Sequence, residues 1–293
     1  MSELISTFLN SYTSYAKFLW KTLTHPFDDY NYFTLLIGLS LLAWVLELIL
    51  PWRKKQAIFR HDFWIDAFYM FFNFYIFNLI IFVALSNTSA KLFGQTMNLF
   101  GLPKDHLFDM TFLPQWIQFG VYYLIYDFVS YGIHNLLHRV PFLWRFHKVH
   151  HSVLEMGFAA HLRYHFIENI VYRSAVYISV AYLLNFKVEN IFFMHATAIL
   201  IGHLNHSNVG WDYGPLKYIL NNPKMHIWHH AKELPQSHSK GMNFGISFSI
   251  WDYIFGTNYI PNSGRDIELG FPEVEKYPTN FFAQLIEPFK RKK

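Results

Sequence analysis

The sequence predicts an all-α, multi-pass integral membrane helical bundle, and three observations lead to this fold class. Hydrophobic residues make up 53% of the 293 residues and charged residues only 15%, whereas soluble domains are roughly 25% charged. Several apolar stretches approach the length of about 20 residues that a spanning helix needs. The chain has 17 histidines and no cysteine, which excludes disulfides, iron–sulfur clusters, thiolate zinc sites and a cysteine nucleophile.

Five apolar segments are predicted to cross the bilayer. The fourth and fifth share one long apolar stretch with a turn near Asn185–Asn190, and a re-entrant hairpin remains an alternative for this pair. The N-terminal segment Ser2–Trp20 alternates apolar and polar residues, which fits a helix lying along the membrane surface. It has no basic stretch at its start, so no cleavable signal is expected. The predicted spans are Phe33–Leu50, Trp64–Leu85, Phe112–Ile133 and the pair within Ile167–Leu204.

Basic residues predict the orientation of the bundle, because cytoplasmic loops carry an excess of lysine and arginine. The net charge of +4 is too small to indicate a nucleic-acid partner. With the spans above, three basic groups fall on one side, which is therefore assigned to the cytoplasm. They are Arg53, Lys54, Lys55 and Arg60 after the first span, Arg139, Arg145 and Lys148 after the third, and the closing run 290–293.

Eight histidines stand in three short groups. Spacings of three and four residues place side chains on one face of a helix. Neutral imidazole binds iron, zinc, copper or nickel well and magnesium or calcium poorly. Because one ion seldom takes more than about four to six protein ligands, eight clustered imidazoles indicate two metal ions close together. The groups are His134 and His138, then His147, His150 and His151, then His226, His229 and His230.

Other histidines give weaker signals. His203 and His206 lie three residues apart at the end of the fifth segment, and His161 and His165 lie four apart in HLRYH. Packing alone could explain these pairs, so their roles stay open at this point. The zinc-protease motif HExxH is absent, because the residues between His134 and His138 include no glutamate. A pair of irons at the cytoplasmic edge of apolar helices would suit O2 chemistry on a lipid.

Four stretches resemble the signature of the fatty acid hydroxylase/sterol desaturase superfamily, and most of all its bacterial and alkylglycerol monooxygenase-like branch. The resemblance covers residues 116–259 and implies a membrane-bound, non-haem di-iron enzyme that uses O2 as co-substrate to hydroxylate or desaturate a lipid C–H bond. It implies that the eight grouped histidines and His206 are iron ligands. The stretches are Tyr126–Ser152, the NHSN motif at Asn205–Asn208, Gly214–His230 and Asn243–Thr257.

The resemblance also suggests further roles. Arg163, His165 and Glu168 resemble an RxHPxE motif in which Phe166 replaces the proline, and the role of His165 stays open. Asp127, seven residues before His134, is expected to orient a ligand imidazole, or else to make an internal contact between spans. Asn243 is expected to hold a metal-bound water or a ligand histidine, or else to form a turn.

The implied partners are a lipid substrate, the bilayer and an external electron donor. The donor is either a redox protein docked on the basic face at Arg139, Arg145 and Lys148 or a reduced pterin. Three regions are expected: 1–111 with the amphipathic segment and first two spans, 112–260 as the catalytic domain, and 261–293 as a polar tail. Two other functions use the same histidines, namely a membrane metal transporter and a di-zinc membrane hydrolase.

Overall fold

The structure is a computed structural model that describes residues 2–176, 180, 182–185 and 188–290. This part of the chain is mostly helical. Two short strands, β1 and β2, pair in parallel over two residues. The prediction of a mainly helical protein is confirmed. The helices are α1 (Ser2–Thr24), α2 (Tyr32–Ile49), α3 (Phe63–Phe71), α4 (Val83–Leu99), α5 (Gln115–Arg139), α6 (Pro141–His151), α7 (Phe166–Val176), α8 (Val188–His206), α9 (Pro223–His229), α10 (Ile250–Phe255) and α11 (Phe281–Ile286), and the strands are β1 (Phe108–Asp109) and β2 (Leu184–Asn185).

Two helical segments are long and apolar enough to cross a bilayer. They are Tyr32–Ile49, with a mean hydropathy of 2.0, and Phe63–Ile80, with 1.3, and they coincide with the first two predicted spans. Most of the first segment, α2, is not buried by the rest of the protein, as expected for a helix that contacts lipid. The predicted third span forms α5, and the predicted pair forms α7 and α8. Whether these three cross the membrane stays a prediction, and Lys187 in the predicted turn lies outside the described residues.

The polar interruptions in the second predicted span hold the helices together. Two π-helical turns, Phe72–Ile76 and Asn78–Phe82, join α3 to α4. Asn73 in the first turn donates hydrogen bonds to the carbonyls of Leu162 and Tyr164, at 3.0 and 2.9 Å. These bonds satisfy a buried amide and fix the segment that precedes α7.

Two basic residues assigned from sequence to a cytoplasmic loop are internal. Arg60 forms a buried ion pair with Asp66, and Arg53 donates to the Met156 carbonyl at 2.8 Å. Arg163 joins the same network, with its Nη1 3.1 Å from Asp66. Buried charges must be paired, so these arginines serve packing. The cytoplasmic assignment of this end therefore stays a prediction, as does the part of the closing run at 291–293, which lies outside the described residues.

The segment after residue 260 packs on the helical core and does not behave as a separate polar tail. Gly270 N donates to the His230 carbonyl at 2.9 Å, and Leu269 is buried with Val153 and Met156. Farther on, the ring of Phe281 packs against Tyr69 at a centroid distance of 4.9 Å. The apolar residues scattered through this polar stretch explain the difference, because they gain free energy when buried.

Candidate metal centre

Nine histidines, the same nine that the sequence singled out, come together in two adjacent groups. In each group, every ring has one nitrogen that lies within 4.8 Å of one nitrogen on each of the other rings. The groups lie side by side, because the rings of His151 and His230, one from each, stack with their centroids 4.4 Å apart. Site A consists of His134, His138, His147, His151 and His229, and site B of His150, His206, His226 and His230.

Helical geometry divides each HxxHH motif between the two sites. In α6, His147 and His151 enter site A while His150 enters site B. In α9 and its C-cap, His226 and His230 enter site B while His229 enters site A. With about 3.6 residues per turn, positions i and i+4 lie roughly 40° apart around the axis, and i+3 lies about 100° from i+4. One short helix can therefore supply ligands to both sites.

Four rings are fixed by backbone carbonyls. In site A, His134 Nδ1 donates to the Phe244 carbonyl and His229 Nδ1 to the Met242 carbonyl, both at 2.8 Å. A carbonyl oxygen only accepts, so the hydrogen of each neutral ring is on Nδ1 and its Nε2 carries a lone pair. In site B, the Nδ1 atoms of His150 and His206 donate in the same way, to the carbonyls of Arg163 at 3.0 Å and of Gly202 at 2.8 Å.

These lone pairs face one another at short distances. The Nε2 atoms of His150 and His206 are 3.3 Å apart, and neither carries a hydrogen to share. The Nε2 of His226 is 2.9 Å from that of His206 and 3.2 Å from that of His230. Metal–nitrogen bonds of about 2.0–2.1 Å place neighbouring ligand nitrogens roughly 3.0–3.4 Å apart. The arrangement therefore fits a cation, and the contact between the two lone pairs of His150 and His206 would be repulsive without one.

The protonation state of the rings agrees with metal binding. Burial, together with the charge that neighbouring imidazoles would carry, lowers the pKa of His226, His229 and His230 well below the ordinary value. These rings are therefore neutral at physiological pH, as a nitrogen ligand must be.

Glu168 lies next to the metal centre, with its Oε2 3.0 Å from His147 Nδ1. Both side chains are buried. The two atoms are within ion-pair distance without forming a hydrogen bond, so the carboxylate acts through its negative charge, which favours a cation held by the neighbouring ring. Glu168, the acidic residue of the predicted RxHPxE-like motif, therefore lies beside site A.

We expect Glu168→Gln to weaken metal binding at site A by about 10- to 100-fold, because the negative charge beside His147 is removed. Metal titration of the purified chain measures this change. Glu233→Gln alters an exposed carboxylate and is the matched control, with no expected effect. Equal affinity in the Glu168 variant and its control would show that the contact is not used.

Comparison with known proteins relates this geometry to a family. Residues 119–257 match the fatty acid hydroxylase family model, and this stretch includes all nine histidines. Over these residues the chain is similar to the fatty acid hydroxylase family. The structure thus describes a region that matches this family model, with additional helices before it and a packed segment after it. No solved structure matches the chain.

Several curated proteins are similar to this chain over part of its length. Ornithine lipid hydroxylase OlsE of Rhizobium tropici is 34% identical over 179 residues, which are 61% of this chain and 52% of the relative. Alkylglycerol monooxygenase of Homo sapiens is 28% identical over 179 residues, 61% of this chain and 37% of the relative. Very-long-chain aldehyde decarbonylase GL1-10 of Oryza sativa subsp. japonica is 30% identical over 162 residues, 54% of this chain and 50% of the relative. The chain thus spans about half or less of each relative.

Asp127 contacts the metal centre only through a loop, which corrects the expectation that it orients an imidazole directly. Its carboxylate accepts from Ser247 N at 2.8 Å, Phe248 N at 3.1 Å and Trp251 Nε1 at 2.9 Å. Its three donors belong to the segment that follows Met242 and Phe244. The buried carboxylate therefore anchors the loop whose carbonyls hold two ligands of site A.

Asp252 anchors the same loop, and this role was not predicted from the sequence. Its two oxygens accept from Phe244 N at 2.7 Å and Gly245 N at 2.8 Å, and Thr257 Oγ1 donates at 2.6 Å. Burial raises the pKa of Asp252 to about 6 while these donors oppose the rise, so the carboxylate is ionised at neutral pH. The signal available in the sequence was a single acidic residue inside the apolar run IWDYIF.

Asn243 takes a turn role and does not hold an imidazole. Its backbone is left-handed, with φ 54°, a conformation that asparagine tolerates well. Its Nδ2 donates to the carbonyls of Met225 at 2.9 Å and Tyr259 at 2.7 Å, and its Oδ1 accepts from Tyr259 N at 2.7 Å. With its amide committed to backbone atoms, Asn243 fixes the turn between the two carbonyls of site A.

Three further histidines lie outside both sites. His161 and His203 face each other with their Nδ1 atoms 3.2 Å apart, and His203 Nε2 is 3.1 Å from Ser40 Oγ. The ring of His161 packs against His206 at 5.4 Å. His165 uses both nitrogens on backbone atoms, accepting from Ile167 N and donating to the Leu285 carbonyl, each at 3.1 Å. His161 and His203 therefore pack beside site B, and His165 is held by backbone atoms outside both sites.

Proposed function

We propose that the chain is a membrane-bound, non-haem di-iron oxygenase that uses O2 and external electrons to hydroxylate a lipid C–H bond, with desaturation as the alternative outcome. This proposal rests on one observation: the nitrogen atoms of nine imidazoles lie close together in two adjacent buried sites. Two similar proteins, an ornithine lipid hydroxylase and an alkylglycerol monooxygenase, support the reaction class.

The ligand set favours iron over zinc. Site A offers five imidazoles, one more than the four ligands of a usual zinc site. Imidazole suits iron, and iron accommodates a higher coordination number. An iron pair bound at sites A and B would supply the reduction of O2 and the oxidation of an unactivated C–H bond.

The protein's own residues bind the metals, fix the rings and exclude water. Backbone carbonyls hold the Nδ1 hydrogens of four rings, so the Nε2 atoms of these rings are oriented before a metal arrives, which reduces the cost of assembling the site. Of the nine rings, all but the half-buried His138 are fully buried, and burial protects a strong oxidant from solvent. The two candidate spans, Tyr32–Ile49 and Phe63–Ile80, provide an apolar surface on which a lipid can reach the centre.

An external donor is proposed to supply the electrons. The sequence contains no glycine-rich dinucleotide fingerprint, so a redox protein or a reduced pterin is needed. Of the three predicted docking residues, Arg139 is exposed. Arg145 donates to the Lys290 carbonyl at 2.8 Å, and Lys148 lies 4.8 Å from the Phe271 ring centroid. We therefore propose that an acidic redox protein approaches Arg139 on the cytoplasmic side.

Labelled oxygen tests the proposal. The full chain is purified in detergent, loaded with either iron or zinc, and supplied with host lipids, a chemical reductant and ¹⁸O2. We expect one ¹⁸O atom in a hydroxylated lipid, formed only with iron, O2 and reductant together. Anaerobic turnover with zinc would favour a hydrolase, and metal transport without O2 consumption would favour a transporter; either result contradicts the oxygenase.

A further inference from the structure

A polar cavity of about 380 Å³ opens beside the beginning of α9. Lys217, Lys224, Asp212 and Asn222 are among the residues that line it. Small-molecule sites are typically clefts of about 300–1,000 Å³, so the space suits a headgroup-sized ligand. None of these residues belongs to the metal sites.

The charges in the cavity leave an excess of one positive unit. Lys224 Nζ is 2.9 Å from Asp212 Oδ2, and Asp212 Oδ1 also accepts from Gly214 N at 3.1 Å. Within the described part of the chain, Lys217 forms no close ion pair and interacts with Asp212 only at longer range, and its Nζ lies 5.2 Å from the Tyr218 ring centroid. The cavity therefore offers an ammonium group to a singly charged anion.

Asn222 supplies a buried donor that lacks an acceptor. Its side chain is 1% exposed, and its Oδ1 caps α9 by accepting from Met225 N at 3.0 Å. Its Nδ2 has no hydrogen-bond partner among the described residues. Buried polar groups are nearly always hydrogen-bonded, so an acceptor oxygen from a ligand is the partner that this amide lacks.

Exposed apolar side chains adjoin the lining residues in sequence. Leu216 and Ile219 flank Lys217 and Tyr218 and are 53% and 47% exposed, and Ile254 and Phe255 follow Tyr253 and are 60% and 54% exposed. Exposed apolar residues near a cleft suit contact with hydrocarbon. A ligand that combines an oxyanion with hydrocarbon chains matches both the cavity and these neighbouring residues.

We propose that this cavity binds the singly charged oxyanion, phosphodiester or carboxylate, of a membrane lipid headgroup. The assignment of this lipid as substrate rests on the proposed function. His226 of site B lies four residues after Asn222, about one helical turn along α9. A headgroup held at Asn222 and Lys217 therefore keeps its lipid beside the metal centre.

Binding of short-chain lipids to the purified, metal-loaded full chain tests this site. Calorimetry compares dihexanoyl phosphatidylglycerol with uncharged dihexanoylglycerol and with inorganic phosphate, without reductant. We expect the charged lipid to bind at least tenfold more tightly than either comparator. Lys217→Gln is expected to weaken its binding about tenfold through loss of a charged hydrogen bond.

Asn222→Asp is the second variant, because aspartate still caps the helix but presents an oxygen where Asn222 has a donor. We expect unchanged metal content and at least tenfold weaker binding of the charged lipid. Lys276→Gln removes an exposed lysine elsewhere and should leave binding within about twofold of the parent chain.

Three results would overturn the headgroup site: equal binding of the uncharged lipid, unchanged binding in both Lys217→Gln and Asn222→Asp, or equally tight binding of inorganic phosphate. A chain that binds the charged lipid through these residues but incorporates no ¹⁸O contradicts the oxygenase proposal alone.

Discussion

Replacing His229 by alanine is expected to abolish lipid oxidation and to remove the metal ion of site A. His229 Nε2 lies 3.1 Å from His151 Nε2, within the distance that two ligands of one ion keep. The deleted ring also leaves the Met242 carbonyl without its donor. Because His229 lies outside the two candidate spans, membrane insertion should persist.

Metal analysis and an activity assay on purified membranes check this prediction. The variant should hold about one metal ion fewer per chain than the parent. His150→Ala should remove the ion of site B with the same loss of activity. His25 is exposed and contacts Thr24 Oγ1 at 2.8 Å, so His25→Ala is the control and should change neither quantity. Turnover retained in the His229 variant would contradict the ligand assignment.

Asp252→Asn is expected to lower activity and the metal affinity of site A by about 10- to 100-fold, the usual effect of residues that orient a metal ligand. The asparagine amide cannot accept from both Phe244 N and Gly245 N, so one buried N–H loses its acceptor. The loop then shifts the carbonyls of Met242 and Phe244 away from His229 and His134.

The metal affinities of sites A and B, measured in one titration, distinguish a local effect of this variant from general unfolding. Two rings of site B are held by the carbonyls of Arg163 and Gly202, and within the described residues neither carbonyl bonds to the Asp252 loop. A titration should therefore show one weakened site and one unchanged site. Asp266→Asn, at an exposed carboxylate, should leave both unchanged. Equal loss of both metals would indicate general unfolding and count against a positioning role.

Helical spacing was sufficient to single out eight of the nine histidines that meet, whereas His206 was predicted only from the resemblance of its NHSN motif. It was not sufficient to predict how they divide. His150 and His151 are adjacent but point to different sites, since consecutive residues lie about 100° apart around a helix. The assignment of each ring depends on how α5, α6, α8 and α9 pack together, which no local pattern contains.

The supporting carboxylates were predicted less well. Asp127 was expected to contact an imidazole through helical spacing, yet its donors lie 120 or more residues away in the chain. Arg60 was interpreted as a topology signal because it follows an apolar segment, and its buried pairing with Asp66 became visible only in three dimensions. Contacts between distant segments depend on tertiary packing and leave little local trace in sequence.

Anomalous diffraction at the iron absorption edge, from crystals of the iron-loaded protein, tests the central claim most directly. The account predicts two peaks per chain, one among the Nε2 atoms of His150, His206, His226 and His230 and one within site A, each about 2.0–2.2 Å from its nitrogens. A single peak, or iron bound away from these rings, would contradict a two-metal centre.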